Sequence, residues 1–243
     1  MLEALGLTIP NRLHDVTVQL RRGRVTAICG PNGAGKSTLL AAFAGLIAPA
    51  AGTVTLDSLP LPTLAAQDRA RRIGYLPQSA EVAWNLSVRT LVALGRLPHN
   101  TSRAENTRAV DDAIATVSLE ALAHRALSTL SGGERARALL ARVLATQPQW
   151  ILADEPLAAL DLAHQQSLAA QLGTLSNQGR GVVLVVHDLA LAMNRADHVI
   201  VLDQGRVVAS GAPEAALSQD IIGKVWGLGT RWLGEPGHRA LAI

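Results

Sequence analysis

Val25-Thr26-Ala27-Ile28-Cys29-Gly30-Pro31-Asn32-Gly33-Ala34-Gly35-Lys36-Ser37-Thr38 passes from a short apolar run into a glycine-rich turn and then into a lysine and two hydroxyls. The first part reads as a strand and the last as the start of a helix. Between them stands the pattern Gly-x-x-x-x-Gly-Lys-Ser/Thr. Glycines at 30, 33 and 35 accept backbone angles that side chains forbid, so successive N–H groups can converge on a β-phosphate at a positive helix N-terminus. Lys36 then reaches the β- and γ-phosphates, and the Ser37 hydroxyl ligates Mg²⁺. A glycine-rich turn without a ligand is the plain alternative, and the strand and helix flanks argue against it.

Two further elements belong with this loop. Trp150-Ile151-Leu152-Ala153-Asp154-Glu155 is a mostly apolar run ending in two acids, as a buried parallel strand would deliver carboxylates at its carboxyl edge. Asp154 is expected in the Mg²⁺ shell, and Glu155 is placed to polarise a water for in-line attack on the γ-phosphorus. A capping pair ahead of a helix is the alternative for such acids. His187 follows Gly181-Val182-Val183-Leu184-Val185-Val186 and so ends another apolar strand. A lone histidine is more often structural or on the surface; its position on the same sheet edge as Asp154 makes it a candidate contact of the γ-phosphate.

Length and composition fit one catalytic domain. With 243 residues, 49% of them hydrophobic, the chain can bury a large core, and alternating strand and helix patterns argue for an α/β fold. No span approaches eighteen uninterrupted apolar residues, and Leu39 to Ala51 is broken by Gly45 and Pro49, so no membrane crossing is expected. Met1-Leu2-Glu3 opens without a basic segment and apolar core, which argues against a signal peptide and for the cytoplasm. The single cysteine, Cys29, excludes an internal disulfide and reads as a small buried residue, redox control beside the loop being the alternative. A net charge of +3 carried by scattered arginines points to no nucleic-acid partner.

These motifs, in their order, resemble the nucleotide-binding subunit of an ABC transporter over roughly residues 14 to 218. Gly30 to Thr38 (Gly30, Pro31, Asn32, Gly33, Ala34, Gly35, Lys36, Ser37, Thr38) resemble the Walker A motif, and Gln78 in Tyr75-Leu76-Pro77-Gln78 resembles the Q-loop. Leu130-Ser131-Gly132-Gly133-Glu134 resemble the signature, Ile151 to Glu155 Walker B, Ala159-Leu160-Asp161 the D-loop and His187 the switch histidine. The resemblance implies a P-loop ATPase core, a mixed sheet flanked by helices, with an inserted helical subdomain at about 79–145 and a tail at 221–243. It implies ATP and Mg²⁺ as ligands, with Ser37, Gln78 and Asp154 at the metal and Lys36, Glu155 and His187 catalytic. It also implies a homodimer in which the Walker A site of one chain and the signature of the other sandwich each ATP, with Asp161 at the interface. Ser131, Gly132 and Gly133 precede a helical stretch starting near Glu134, a second helix N-terminus able to take an anion.

Arg72 to Gln78 and Val88 to His99 are similar to importers of vitamin B12, haem and ferric siderophores, and Gly237-His238-Arg239-Ala240 to cobalamin-importer ATPases. Such a subunit works beneath separate membrane permease subunits served by an external substrate-binding protein. Residues 79 to 99 are the expected docking surface, with Trp84 against a coupling helix of the permease or in the core. An exporter or lipoprotein-release ATPase would share every catalytic motif and is the alternative. Two departures stand out. The family usually sets an aromatic ring upstream of Walker A, whereas the first aromatic here is Phe43, which leaves adenine to Leu7, Ile9 or Pro10, or loosely held, with relaxed ATP-versus-GTP selectivity. Ala136 stands where many members carry glutamine. Trp226 and Trp232 suggest that the tail packs against the core or a second subunit.

Overall fold

The structure is a computed structural model that describes residues 1–78, 85–158 and 160–243. In chain order its elements are β1 (Leu2–Ile9), β2 (Leu13–Leu20), β3 (Arg24–Cys29), α1 (Lys36–Phe43), β4 (Ala51–Leu56), β5 (Leu59–Pro60), α2 (Ala66–Arg72), β6 (Ile73–Leu76), α3 (Val88–Ala93), α4 (Arg103–Thr116), α5 (Gly132–Ala145), β7 (Trp150–Asp154), α6 (Leu162–Asn177), β8 (Gly181–Val185), α7 (Leu189–Arg195), β9 (His198–Asp203), β10 (Arg206–Gly211), α8 (Pro213–Ala216), α9 (Gln219–Trp226), β11 (Arg231–Leu233) and β12 (Ala240–Ala242). Trp84 and Ala159 lie outside the described residues.

A six-stranded sheet in the order β10-β9-β3-β8-β7-β6 forms the centre. Five of its strands run parallel and only β10 is antiparallel, paired with β9. Alternate residues feed two different cores: Val25, Ala27, Cys29, Ile151, Ala153, Val182 and Leu184 face one, and Ile28, Leu152, Val183 and Val185 face the other. Burial on both faces is why these strands read as unbroken apolar runs. The largest fully buried side chain is Trp150. Its ring occupies the space over Gly181, where an added Cβ would lie 2.2 Å from the indole.

A second, antiparallel sheet, β2-β1-β4-β5, closes over α1. Leu7, Ile9, Leu13, Val16 and Leu20 form one core there with Leu39, Leu40 and Phe43 of α1. This corrects the expectation for adenine in two of its residues: Leu7 and Ile9 are committed to the interior, whereas Pro10 is exposed. Because α1 is wedged between the sheets, the phosphate loop ahead of it is held at the carboxyl edge of the central sheet.

The helices α3, α4 and α5 pack on one another through Val110, Ile114, Leu139, Leu140, Val143 and Leu144. Their helical spacing puts these residues on single faces. Arg96 ties the group together, its buried guanidinium donating to Asn106 Oδ1 and to the carbonyl of Ala145, both at 2.8 Å. Ala136 packs partly buried against the same core. The β9–β10 hairpin turns at Gln204-Gly205, both at positive φ, 45° and 75°, as a tight two-residue connection requires. The tail packs on its own chain: the Trp232 indole donates to Leu217 O at 2.8 Å, and the Asn194 side chain exchanges two 2.7 Å bonds with the Arg239 backbone.

Candidate functional site

Parallel strands bring their carboxyl ends to one edge, the place where open α/β sheets bind ligands. A cavity of about 590 Å³ opens there, lined by Asn32 to Thr38, Gln78, Glu155, His187 and Arg12. Gln78 follows β6, Glu155 follows β7 and His187 follows β8. Three stretches far apart in sequence therefore meet the phosphate loop because their strands are neighbours.

The loop's shape depends on glycine at two points. Gly30 has φ 148°, and a Cβ on it would lie 2.1 Å from Leu202 O. Gly35 has φ 99°, and a Cβ there would meet Leu13 and the Arg12 carbonyl at 2.7 and 2.8 Å. Both positions are closed to any other residue. Gly35 is also the N-cap of α1, so the helix's free N–H groups face the loop. The Lys36 ammonium donates to Gly30 O at 2.9 Å and Pro31 O at 2.8 Å. Burial lowers its pKa, and the charges of Glu155, Cys29 and Asp154 act in the opposite direction.

Asp154 is 3% exposed, and its Oδ1 is buried without a hydrogen-bond partner. Burial pushes its carboxyl pKa up, while the Ser37 hydroxyl and the Lys36 charge pull it down. An orphaned carboxylate oxygen beside a hydroxyl offers two oxygen donors of the kind Mg²⁺ takes, the remainder of whose shell phosphate oxygens and water would supply. The donor set therefore fits that ion. Among the described residues no cluster of three or more His, Cys, Asp or Glu offers another metal site.

Glu155 adopts φ 51°, left-handed and unusual for a residue with a side chain. Its N–H donates to Val185 O at 3.2 Å, and its carboxylate accepts from His187 Nε2 at 2.6 Å. Asp188, the N-cap of α7, accepts from Ala190 N and Leu191 N at 2.8 and 3.0 Å and fixes the backbone just after His187. The acid and the imidazole thus face the same cavity as Lys36.

The structure does not bring every site candidate there. Ser131 and Gly132 are exposed at the start of α5, and none of residues 130–134 lines the cavity. Ser131 and Glu134 form a reciprocal cap: Ser131 N donates to Glu134 Oε2 at 2.8 Å and Glu134 N to Ser131 Oγ at 3.2 Å. That bond holds the Glu134 carboxyl below its usual range. Asp161 caps α6 instead, accepting from His164 N at 2.9 Å and His164 Nδ1 at 2.8 Å. Gln165 braces the segment before it by donating to Leu157 O and Leu160 O. Cys29 is fully buried, with its thiol pushed up to about 12 by desolvation, so it is a packing residue and not a reactive thiol. Arg12 is a cavity residue that no motif announces.

The ABC transporter family model matches residues 13–158. The chain is also 45% identical over 239 residues to the hemin import ATP-binding protein HmuV of Nocardia farcinica, covering 93% of this chain and 82% of that one. The chain belongs to the ABC transporter family. It is an ABC-type ATPase, and its α/β core with a mixed sheet flanked by helices is the architecture of the ABC cassettes. A chain of a metal-chelate type ABC transporter, solved in an inward-facing conformation, superposes with a TM-score of 0.84 at 25% identity, over 99% of this chain and 95% of that one. A dimeric bacterial ABC transporter cassette superposes with a TM-score of 0.79 at 27% identity, over 88% and 99%. Among the described residues no helix of this ABC protein is long and apolar enough to cross a membrane.

Proposed function

We propose that this chain is the ATP-hydrolysing subunit that powers import of a metal chelate, haem foremost, through a separate membrane permease. The observation that carries the reading is the meeting of Lys36, Gln78, Glu155 and His187 around one cavity while Ser131 to Glu134 are displayed elsewhere on the surface. The resemblance to a hemin import ATP-binding protein over most of both chains favours import, and haem within it, over export or lipoprotein release.

The backbone N–H groups of residues 33–38 and the Lys36 ammonium hold the β- and γ-phosphates, with Pro31 and Asn32 completing the cradle. Ser37, Asp154 and Gln78 would hold Mg²⁺, which would supply neutralisation of phosphate charge when bound. Glu155 orients the attacking water and takes its proton, already held in line by its bond to His187. His187 reports the γ-phosphate. Gln78, between the sheet and the helices α3 to α5, tilts those helices as the site fills.

Two copies complete the chemistry. In a homodimer, Ser131 and Gly133 of one chain cap the γ-phosphate held by the other, with Asp161 at the interface. Contacts made only when ATP is present give the closed state the differential affinity that any switch requires. The likeness to a dimeric cassette supports this arrangement. The permease docks on residues 79–99, of which 79–84 lie outside the described residues; Leu97 at 77% exposed and Leu94 beside it support an apolar contact there. The chain then works at the cytoplasmic face of the membrane, with a substrate-binding protein serving the permease outside.

Uptake of labelled haem, cobalamin and a ferric siderophore, compared between cells with the normal chain and cells with only Glu155→Gln, tests the reading. Loss of haem uptake alone is expected. Unchanged uptake of all three, with ATPase activity intact in the purified normal chain, would reassign it to export or release.

A further inference from the structure

Strand order separates the two ends of a bound nucleotide. β3, which feeds the phosphate loop, has β8, β7 and β6 on one side and β9 and β10 on the other. Gln78, Glu155 and His187 all belong to the first side, so the γ-phosphate faces that way and the base leaves towards β9 and β10.

What stands on that second side is the β1–β2 turn. Arg12 N donates to Ile9 O at 3.0 Å and His14 N to Gly205 O at 2.8 Å, while Gly205 N donates to Ala34 O at 3.1 Å. A Cβ on Gly205 would lie 2.5 Å from the Arg12 carbonyl oxygen, and one on Gly35 would lie 2.8 Å from it. The turn is therefore fixed against both the phosphate loop and the β9–β10 turn, and Arg12 is its residue that lines the cavity. Arg12 is exposed, and among the described residues its guanidinium makes no ion pair. Among the described residues no Phe, Tyr or Trp lines the cavity: Phe43 and Trp150 are fully buried, and Tyr75, Trp226 and Trp232 pack against the cores.

We infer that Arg12 is the platform for the nucleotide base, its guanidinium plane lying against the purine face where relatives of this fold would use an aromatic ring. The inference rests on the ATPase reading of the same cavity. A guanidinium plane attracts a π-system through charge and stacking but reads no base edge. Arg12 therefore accepts adenine and guanine alike, which gives the relaxed selectivity expected from the sequence a physical cause.

The test is equilibrium binding of ATP, GTP and inorganic tripolyphosphate to the full chain and to Arg12→Ala, Arg12→Lys and Arg12→Tyr, with nucleotide-free melting as a control for folding. Arg12→Ala should weaken ATP and GTP about twofold to fivefold, as expected for an exposed cation–π contact. Tripolyphosphate binding should not change, Arg12→Lys should recover little, and Arg12→Tyr should restore purine binding. Equal weakening of tripolyphosphate would make Arg12 a phosphate contact and overturn the inference, as would unchanged ATP affinity in Arg12→Ala. Failure of the normal chain to bind any nucleotide would overturn the ATPase reading along with it.

Discussion

Glu155 sits at φ 51° with its carboxylate bonded to His187, a strained backbone held by the strand before it and by the Val185 carbonyl. Strain of this kind persists only where the surroundings over-determine it, and it concentrates at reacting groups. Glu155→Gln keeps the shape and removes the proposed base. It should leave ATP binding intact and lower turnover by about a hundredfold to ten-thousandfold, the usual worth of a positioned acid–base group. Near-normal hydrolysis in that variant would remove Glu155 from the mechanism. Lys36→Ala, by contrast, should weaken nucleotide binding itself, since it removes the lysine of the cavity proposed for the phosphates; titration calorimetry separates the two. Cys29 gives a prediction of a different kind. With the thiol buried and its pKa near 12, the native chain should resist alkylation at pH 8 and react once unfolded. Rapid native labelling would contradict the packing. At this scale the motif residues were legible because phosphate chemistry dictates both residue type and spacing. Arg12 was not, since a lone arginine in a turn becomes informative only when two other turns close on it.

The elements are specified by burial and by caps. Ser102 and Ser131 each open a helix with a reciprocal serine–glutamate cap, but only the second has a proposed ligand. Ser102→Ala and Ser131→Ala should each cost about 1 kcal/mol in thermal unfolding, the typical loss of a cap. Only Ser131→Ala should also slow ATP turnover, and equal effects on turnover would remove the signature's special role. Hydrogen bonds from Ser131 hold Glu134 below its usual pKa. The cap therefore contributes above the ordinary carboxylate range and is lost as pH falls through the lowered value. Trp150→Ala should cost about 3–5 kcal/mol, the range for emptying a large core site. The strands were readable from their apolar runs, and α4 and α5 from their spacing. Sequence did not resolve the fate of Leu7 and Ile9, because a strand with one buried face and a ligand wall look alike until the second sheet closes over α1.

The molecule sets the phosphate loop with Gln78, Glu155 and His187 around one cavity and displays Ser131 and Gly132, the capped start of α5, away from it. On the proposed reading, hydrolysis by a lone copy would leave the γ-phosphate uncapped, and two copies joined reciprocally would cap both. On the helical side, Leu97→Asp should reduce copurification of the membrane subunits, and recovery of the complex in normal yield would move the docking surface elsewhere. The tail, ambiguous in sequence between core and partner, is bound to its own chain through Trp232 and the Asn194–Arg239 pair, a contact that only the tertiary path could reveal. Light scattering of purified Glu155→Gln, with and without Mg-ATP, tests most directly whether ATP joins two such halves. The mass should double with ATP and return to that of one chain when Ser131→Arg is added; a single-chain mass at saturating ATP would contradict the shared site.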